Sequence, residues 1–309
     1  MKSILVLKGG ISPEREISLI SAQAVGEELS AAGYRVSYLD PQDYPSLAQL
    51  LSAIKEQKAD MVFNALHGGS GENGQLAAAL ELEGIPFSGS GSKASYLAMD
   101  KYLAKLVVAA EGIPIPKHLI LRANLLEDYN DPQDYSGFVE NYGLPLIVKP
   151  NDAGSSVGIS KVEDLKELKP AVEEAFRYGD SVLVEEYVAG REITVSVLNG
   201  KALPVVEIQP HAGWYDFKNK YTKGNTDYLV PAPIDEATAH LCQLYAERIF
   251  FALSCSVYAR VDFRLRDGTP YFLELNTLPG MTSLSLTPMA AKAAGISFGE
   301  LLKTILKDN

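Results

Sequence analysis

The segment VYARVDFRLRDGTPYFLELN, from Val257 to Asn276, alternates polar and apolar residues in two runs. Read as a hairpin, its first strand puts Arg260, Asp262 and Arg264 on one face and Val261, Phe263 and Leu265 on the other. The second strand puts Phe272, Glu274 and Asn276 opposite Tyr271, Leu273 and Leu275. A two-residue turn would set Asp262 against Leu273, so the pattern predicts a three-residue loop, Asp267-Gly268-Thr269. Asp262 then lies across from Glu274, and Arg260 across from Asn276. Opposed carboxylates repel and need compensation. Arg260 and Arg264 could supply it on a solvated face. The alternative is a divalent cation held by Asp262, Glu274 and the carbonyl oxygen of Asn276. So few ligands, all oxygen, suit magnesium that also holds substrate phosphates. The loop TLPGMTS follows at once, and its glycine lets backbone approach a ligand.

Phosphate-binding candidates come next. No GxxxxGK[ST] occurs, which excludes a P-loop. In LIVKPNDAGSSVGISKV, Lys149 closes one strand pattern and Gly154 to Gly158 form a loop before the next. Such a loop can close over phosphates with its amides while the lysine supplies charge; alone, it is a plain glycine hairpin. GSGSKA, from Gly89 to Ala94, fits a dinucleotide fingerprint, but it does not follow the first strand of its unit. No acid closes a second strand about 20 positions later. A tight connection is the better reading. Lys101, in AMDKYLAK, reads by itself as a surface helix lysine, and Glu185, Glu186 and Glu192 say little alone.

The elements that position these residues fall into three units, 1–92, 93–185 and 186–309. The first alternates strands (SILVLK, YRVSYLD, DMVFNAL, IPFSG) with helices, which predicts a parallel sheet covered on both faces. Ligands bind at the carboxyl ends of such strands, where Gly9-Gly10 and the loop His67 to Gly74 lie. His67, ahead of four glycines, has little to pack against and reads as a ligand. The second unit holds a long helix from Tyr96 to Gly112 and strands joined through glycine loops, hence antiparallel. Hairpin strands, a polar aromatic loop from His211 to Tyr228 and long helices make up the third. The fold class is α/β, with α+β character in the last two units.

The chain has 309 residues, 47% of them hydrophobic, and a net charge of −11 with no basic tract to offset it. That balance argues against a nucleic-acid partner. Cys242 and Cys255 are too few for a disulfide framework and lack metal-ligand spacing. There is no signal-peptide core and no apolar run of about 18 residues, so no membrane partner and a cytoplasmic location are expected.

Taken in order, GGISPEREIS, LHGGSGENG, MDKYLAK, IVKPNDAGSSVGISKV, VEEYVAGREITV, RVDFRL and LELNTLPGMTSLSLTPMAA resemble the ATP-grasp enzymes, and among them the D-alanine–D-alanine ligase family. The resemblance spans essentially the whole chain. It implies an ATP-grasp fold, an N-terminal Rossmann-like domain followed by two domains that sandwich ATP. It implies ATP as co-substrate, two Mg2+ ions (or Mn2+) on Asp262, Glu274 and Asn276, and a D-alanyl phosphate intermediate. Lys101 and Lys149 match lysines on the ATP phosphates, and Ser156 belongs to the ATP loop. The backbone from Glu185 through Glu186 to Val188 would meet adenine, and Glu192 the ribose. Glu14 matches the acid for the first D-alanine's amino group, with His67 and Ser155 nearby. A helix-start acid is the plain alternative for Glu14. Lys220, Tyr221 and Ser285 match the second alanine's site, with Leu286 beside it; Ser285 could instead cap a helix. Arg260 and the Gly280 amide match donors to the tetrahedral intermediate. A homodimer making D-alanyl-D-alanine for peptidoglycan is the implied protein. The Lys220-Tyr221 pair looks like the dipeptide-forming type, since ester-forming relatives carry histidine there. The rivals are a D-Ala–D-Ser or D-Ala–D-Lac ligase, or an oxidoreductase using GSGSKA.

Overall fold

A strand covered on both faces must be apolar throughout, and β1 (Ser3–Leu7) is buried at all five positions. The computed structural model describes residues 2–124, 137, 139–154, 157–211, 224–282 and 285–307. β2 (Arg35–Leu39) and β3 (Met61–Asn64) flank β1, both parallel to it, giving the order β2-β1-β3. Helices α1 (Arg15–Ala31), α2 (Leu47–Glu56), α3 (Gly69–Glu72) and α4 (Gln75–Leu82) supply the crossovers. The expected fourth strand, IPFSG, contributes only a bridge between Phe87 and Val62. Pro86 has no N–H with which to extend the ladder.

The long helix expected from Tyr96 to Gly112 is two helices, α5 (Ser92–Met99) and α6 (Lys101–Ala110). Asp100 breaks it. Its backbone is extended there, and its carboxylate accepts the Leu103 amide at 2.9 Å as the N-cap of α6. Asn151 locks the junction: its side chain donates to Asp100 at 2.8 Å and accepts the Tyr102 amide at 2.8 Å. Lys101 thus stands at the first position of a new helix. The start of α5 carries GSGSKA, where a dinucleotide would place its pyrophosphate. Glu81 fills that place, accepting the Ser92 amide at 2.9 Å and its hydroxyl at 2.5 Å.

Two antiparallel sheets follow. The smaller runs β4 (His118–Arg122), β7 (Ser181–Glu186), β5 (Leu146–Pro150), β6 (Ser160–Val162), and α7 (Leu165–Ala175) covers one face. The larger runs β11 (Thr226–Leu229), β10 (Val206–Pro210), β8 (Arg191–Leu198), β12 (Tyr258–Arg266), β13 (Thr269–Asn276), with β9 (Lys201–Ala202) on β8. α5, α6 and α8 (Glu236–Ala252) bury Ala98, Ala104, Val108 and Ile249 against Val195, Val261 and Phe272 of that sheet. α9 (Leu286–Ala293) and α10 (Phe298–Ile305) instead close a core with β1, in which Leu301 and Ile305 join Ile4 and Val6.

The β12–β13 hairpin has the expected register at the polar face and an unexpected route to it. Asp262 pairs with Glu274 and Arg260 with Asn276. The turn, however, is two residues, not three: Arg266 pairs with Thr269 across Asp267 and Gly268, whose φ values are 51° and 75°. Two positive φ angles match the right-handed twist of the strands, which makes the short turn favourable. The register then slips by one between Asp262 and Phe263, leaving Leu273 as the extra residue of a β-bulge. The bulge restores the polar pairing that the turn alone would have lost.

Replacing Asp100 with alanine removes both the cap of α6 and the bond from Asn151. Urea unfolding should show a loss of about 1–2 kcal/mol. A loss within error would mean that the junction is held by packing alone.

Candidate active site

The bulged hairpin presents its acids together, and the acids already have partners. Arg260 donates to both oxygens of Asp262, at 2.9 and 2.8 Å. Thr194 on the neighbouring β8 donates to the same carboxylate at 2.5 Å, and Asn276 does so at 3.2 Å. Glu274 lies 3.4 Å from the Lys101 ammonium, which also donates to the Ala153 carbonyl at 2.7 Å. Cations therefore offset each member of the opposed pair. Among the described residues no group of three or more Asp, Glu, His or Cys gathers to hold a metal. A divalent ion here would rest on two carboxylates and the Asn276 amide, with substrate oxygens completing its shell. That donor set fits magnesium.

Lys149 sits at the end of β5, almost fully buried, with its ammonium 2.7 Å from Glu185. The other oxygen of Glu185 lies 2.8 Å from Lys105, whose exposure is 0%. Burial alone would raise the Glu185 pKa, but the two ammonium groups outweigh it and bring it down to about 2. Burial lowers Lys105 to about 8, with Glu185 limiting the fall. Sequence reading missed Lys105. The available signal was its place on the buried stripe of α6, with Lys101, Ala104 and Val108.

At the opposite end Glu14 stands just before α1, and its side chain makes no capping bond to the helix. Glycines make room for it: a Cβ on Gly68 would fall 2.5 Å from its carboxylate, and one on Gly154 3.0 Å. The loops after β1, β3 and β5 thus meet at this acid. His67 is buried, which corrects the expectation that it has little to pack against. Its Nδ1 donates to the Leu278 carbonyl at 3.0 Å, which fixes the tautomer, so Nε2 accepts from Ser21 at 3.1 Å. Burial depresses its pKa, and the ring is neutral. Glu72, also missed from sequence, accepts the Gly68 amide at 2.9 Å. Burial first, and the Glu14 charge second, push its pKa up to about 7.

Gly280 packs so closely on Ser285 that a Cβ would lie 2.9 Å from the Ser285 hydroxyl. Ser285 is the N-cap residue of α9, yet its side chain makes no cap bond; it accepts the Thr282 amide at 3.0 Å. Leu286 opens α9 and is buried. After β7, Arg264 gathers the chain by donating to the carbonyls of Val188 at 3.1 Å and Gly190 at 2.6 Å. It also pairs with Glu192 at 3.1 Å. Glu186 lies 3.8 Å from Arg266. Ser155, Ser156, Lys220 and Tyr221 lie outside the described residues.

The chain matches the family model described as "D-ala D-ala ligase C-terminus" over residues 107–307. It is 44% identical to a D-alanine–D-alanine ligase of Syntrophotalea carbinolica over 99% of this chain and 95% of that protein. The chain belongs to the D-alanine–D-alanine ligase family. A ligase of that name from Actinobacillus pleuropneumoniae is 41% identical over 99% of this chain and 97% of its own. Among solved structures, the D-alanine–D-alanine ligase of Bacillus anthracis superposes with a TM-score of 0.86 at 35% identity, covering 100% of this chain and 97% of that one. Its ATP complex gives 0.83 at 33%, over 100% and 96%. A D-Ala:D-Ser ligase from Enterococcus faecalis, VanG, also gives 0.83, at 32% identity over 99% of each chain.

In this member of the D-alanine–D-alanine ligase family, Lys101, Arg260, Asp262, Glu274 and Asn276 come together at one cluster, and Lys149 joins Glu185. Glu14 and His67 meet near the Leu278 segment that follows β13. No helix among the described residues is long and apolar enough to cross a membrane. Glu185→Gln would leave Lys105 and Lys149 buried without their counter-charge, at a cost of about 3–5 kcal/mol near neutral pH. Because the folded carboxylate titrates near 2 and the unfolded one near 4.5, its contribution is complete above 4.5 and fades as pH falls towards 2. The stability gap between wild type and Glu185→Gln should therefore narrow from pH 6 to pH 3 in urea titrations. A constant gap would refute the ionic account.

Proposed function

We propose that this chain is an ATP-dependent ligase that joins two D-alanines into D-alanyl-D-alanine. The observation that carries the proposal is the placement of opposed carboxylates Asp262 and Glu274 beside Lys101, in a chain aligned end to end with D-alanine–D-alanine ligases. A carboxylate acylates poorly, so the first D-alanine's carboxylate takes the ATP γ-phosphoryl group and ADP leaves. The second D-alanine's amine attacks the acyl carbon, and phosphate departs from the tetrahedral intermediate.

Each step needs a charge that this site can supply. Lys101 and Lys149 face the phosphates. A divalent cation on Asp262, Glu274 and Asn276 would further offset charge on the transferring group. The neutral His67 and the acids Glu14 and Glu72 line the end suited to a small ammonium-bearing substrate. Arg260 and the Gly280 amide would serve the oxyanion of the second step, and a cation held on Asp262 would offset the carboxylate that Arg260 now pairs. One such donor is typically worth about 3–4 kcal/mol. Adenine falls to the backbone from Glu185 to Val188, and the ribose to Glu192. Ser155, Ser156, Lys220 and Tyr221 complete the reading from sequence, with Ser285 and Leu286 beside the second substrate. The 1–92, 93–185 and 186–309 division, a homodimer, a cytoplasmic location and a role in peptidoglycan precursor synthesis belong to the same reading.

The test is phosphate release from ATP and Mg2+ with D-alanine, L-alanine, D-serine, D-lactate or no acceptor, and the product identified by mass. Release that requires D-alanine, with the dipeptide as main product, is expected. Turnover that ignores D-alanine, or a D-Ala–D-Ser product preferred over the dipeptide, would overturn the substrate assignment. Tyr221→His should raise D-lactate use relative to D-alanine. An unchanged ratio of kcat/KM values would remove Tyr221 from that role.

A further inference from the structure

Lys105 has no place in the chemistry above, yet it is the most deeply buried charge among the described residues, at 0% exposure. Its ammonium forms an ion pair with Glu185 at 2.8 Å and donates to the carbonyls of Phe272 and Leu273, both at 3.1 Å. Each of those contacts leads towards the site.

The first leads to Lys149, which shares Glu185 with Lys105. A single carboxylate that anchored Lys149 alone would also cancel its charge. With a second ammonium on the same carboxylate, the cluster keeps a net charge of +1 while Lys149 stays tethered. The other contacts lead to Glu274. Phe272 and Leu273 are the residues at the β-bulge, where an extra residue disrupts the ladder and leaves carbonyls in need of donors. Glu274 is the next residue, and its place opposite Asp262 exists only because of that bulge. Lys105 is also one turn after Lys101 on α6, so one helix face sends one lysine to Glu274 and the other beneath it.

We propose that Lys105 is a positioning residue for the ATP and metal half of the site: it shares Glu185 with Lys149, so that Lys149 is tethered without its charge being cancelled, and it holds Glu274 in register through the bulge. The inference rests on the ATP-dependent ligase reading, although not on the identity of the amine acceptor. A buried lysine that merely filled the core would affect stability and both substrates alike. A positioning residue affects nucleotide and metal selectively.

The test compares Lys105→Met and Lys105→Arg with wild type. Calorimetry measures binding of ATP with Mg2+, steady-state kinetics measure KM for each substrate, and thermal unfolding measures stability. Lys105→Met should weaken ATP binding about ten- to a hundredfold and raise the Mg2+ requirement, while KM for D-alanine changes less than about twofold. Lys105→Arg, which keeps the charge, should recover most of the nucleotide affinity. ATP binding unchanged in a folded Lys105→Met protein, or a parallel rise in KM for D-alanine, would overturn the proposal. Should Lys105→Met not fold, Lys105→Gln, which removes the charge, keeps an N–H donor for the bulge carbonyls and leaves the Lys149–Glu185 pair intact, carries the test, with a loss of ATP affinity expected and wild-type affinity overturning the proposal. ATP binding is read without an acceptor, so failure of the D-alanine assignment would leave this result interpretable.

Discussion

Asp262 and Glu274 stand opposite each other in a β-ladder, where like charges repel, and much of the structure exists to make that arrangement tolerable. Arg260, Thr194 and Asn276 surround one acid, and Lys101 approaches the other. The bulge sets the register, α6 supplies the flanking lysines, and the break at Asp100 fixes where α6 begins.

The site is assembled from segments far apart in the chain, and backbone contacts fix their meeting points. His67, at the end of β3, bonds the carbonyl of Leu278, just past β13. Gly68 and Gly154 each leave the space that Glu14 occupies. Such glycines transmit shape rather than chemistry, because a side chain there would crowd the Glu14 carboxylate. Arg264 plays the corresponding part for the segment after β7, holding the Val188 and Gly190 carbonyls against β12.

Patterned parts of this architecture were legible in the sequence. Period-two alternation put Asp262 opposite Glu274, and the strand–helix alternation gave a parallel N-terminal sheet. The ordered motifs from GGISPEREIS to LELNTLPGMTS carry the family's signature in the sequence itself. What failed depended on compensation between local features. The two-residue turn and the bulge are errors of one residue each that cancel, and pleat counting sees only their sum. The helix break at Asp100 was hidden because Asn151, which locks it, lies fifty-one positions away. Lys105 and Glu72 were passed over because charged residues default to solvent, and only the tertiary fold reveals which have been taken inside.

The core that closes around β1 has a consequence for synthesis. Ile4 and Val6 share a core with Ala22, Val25 and Leu29 of α1 and with Leu301, Leu302 and Ile305 of α10, so β1 waits for residues almost three hundred positions later. On the ribosome, that face of the parallel sheet has α1 against it early but stays incompletely covered until α10 has been translated. Through that interval the nascent chain offers a sticky surface to chaperones and to its neighbours, and arrest before α10 would yield an aggregation-prone product rather than a smaller working domain.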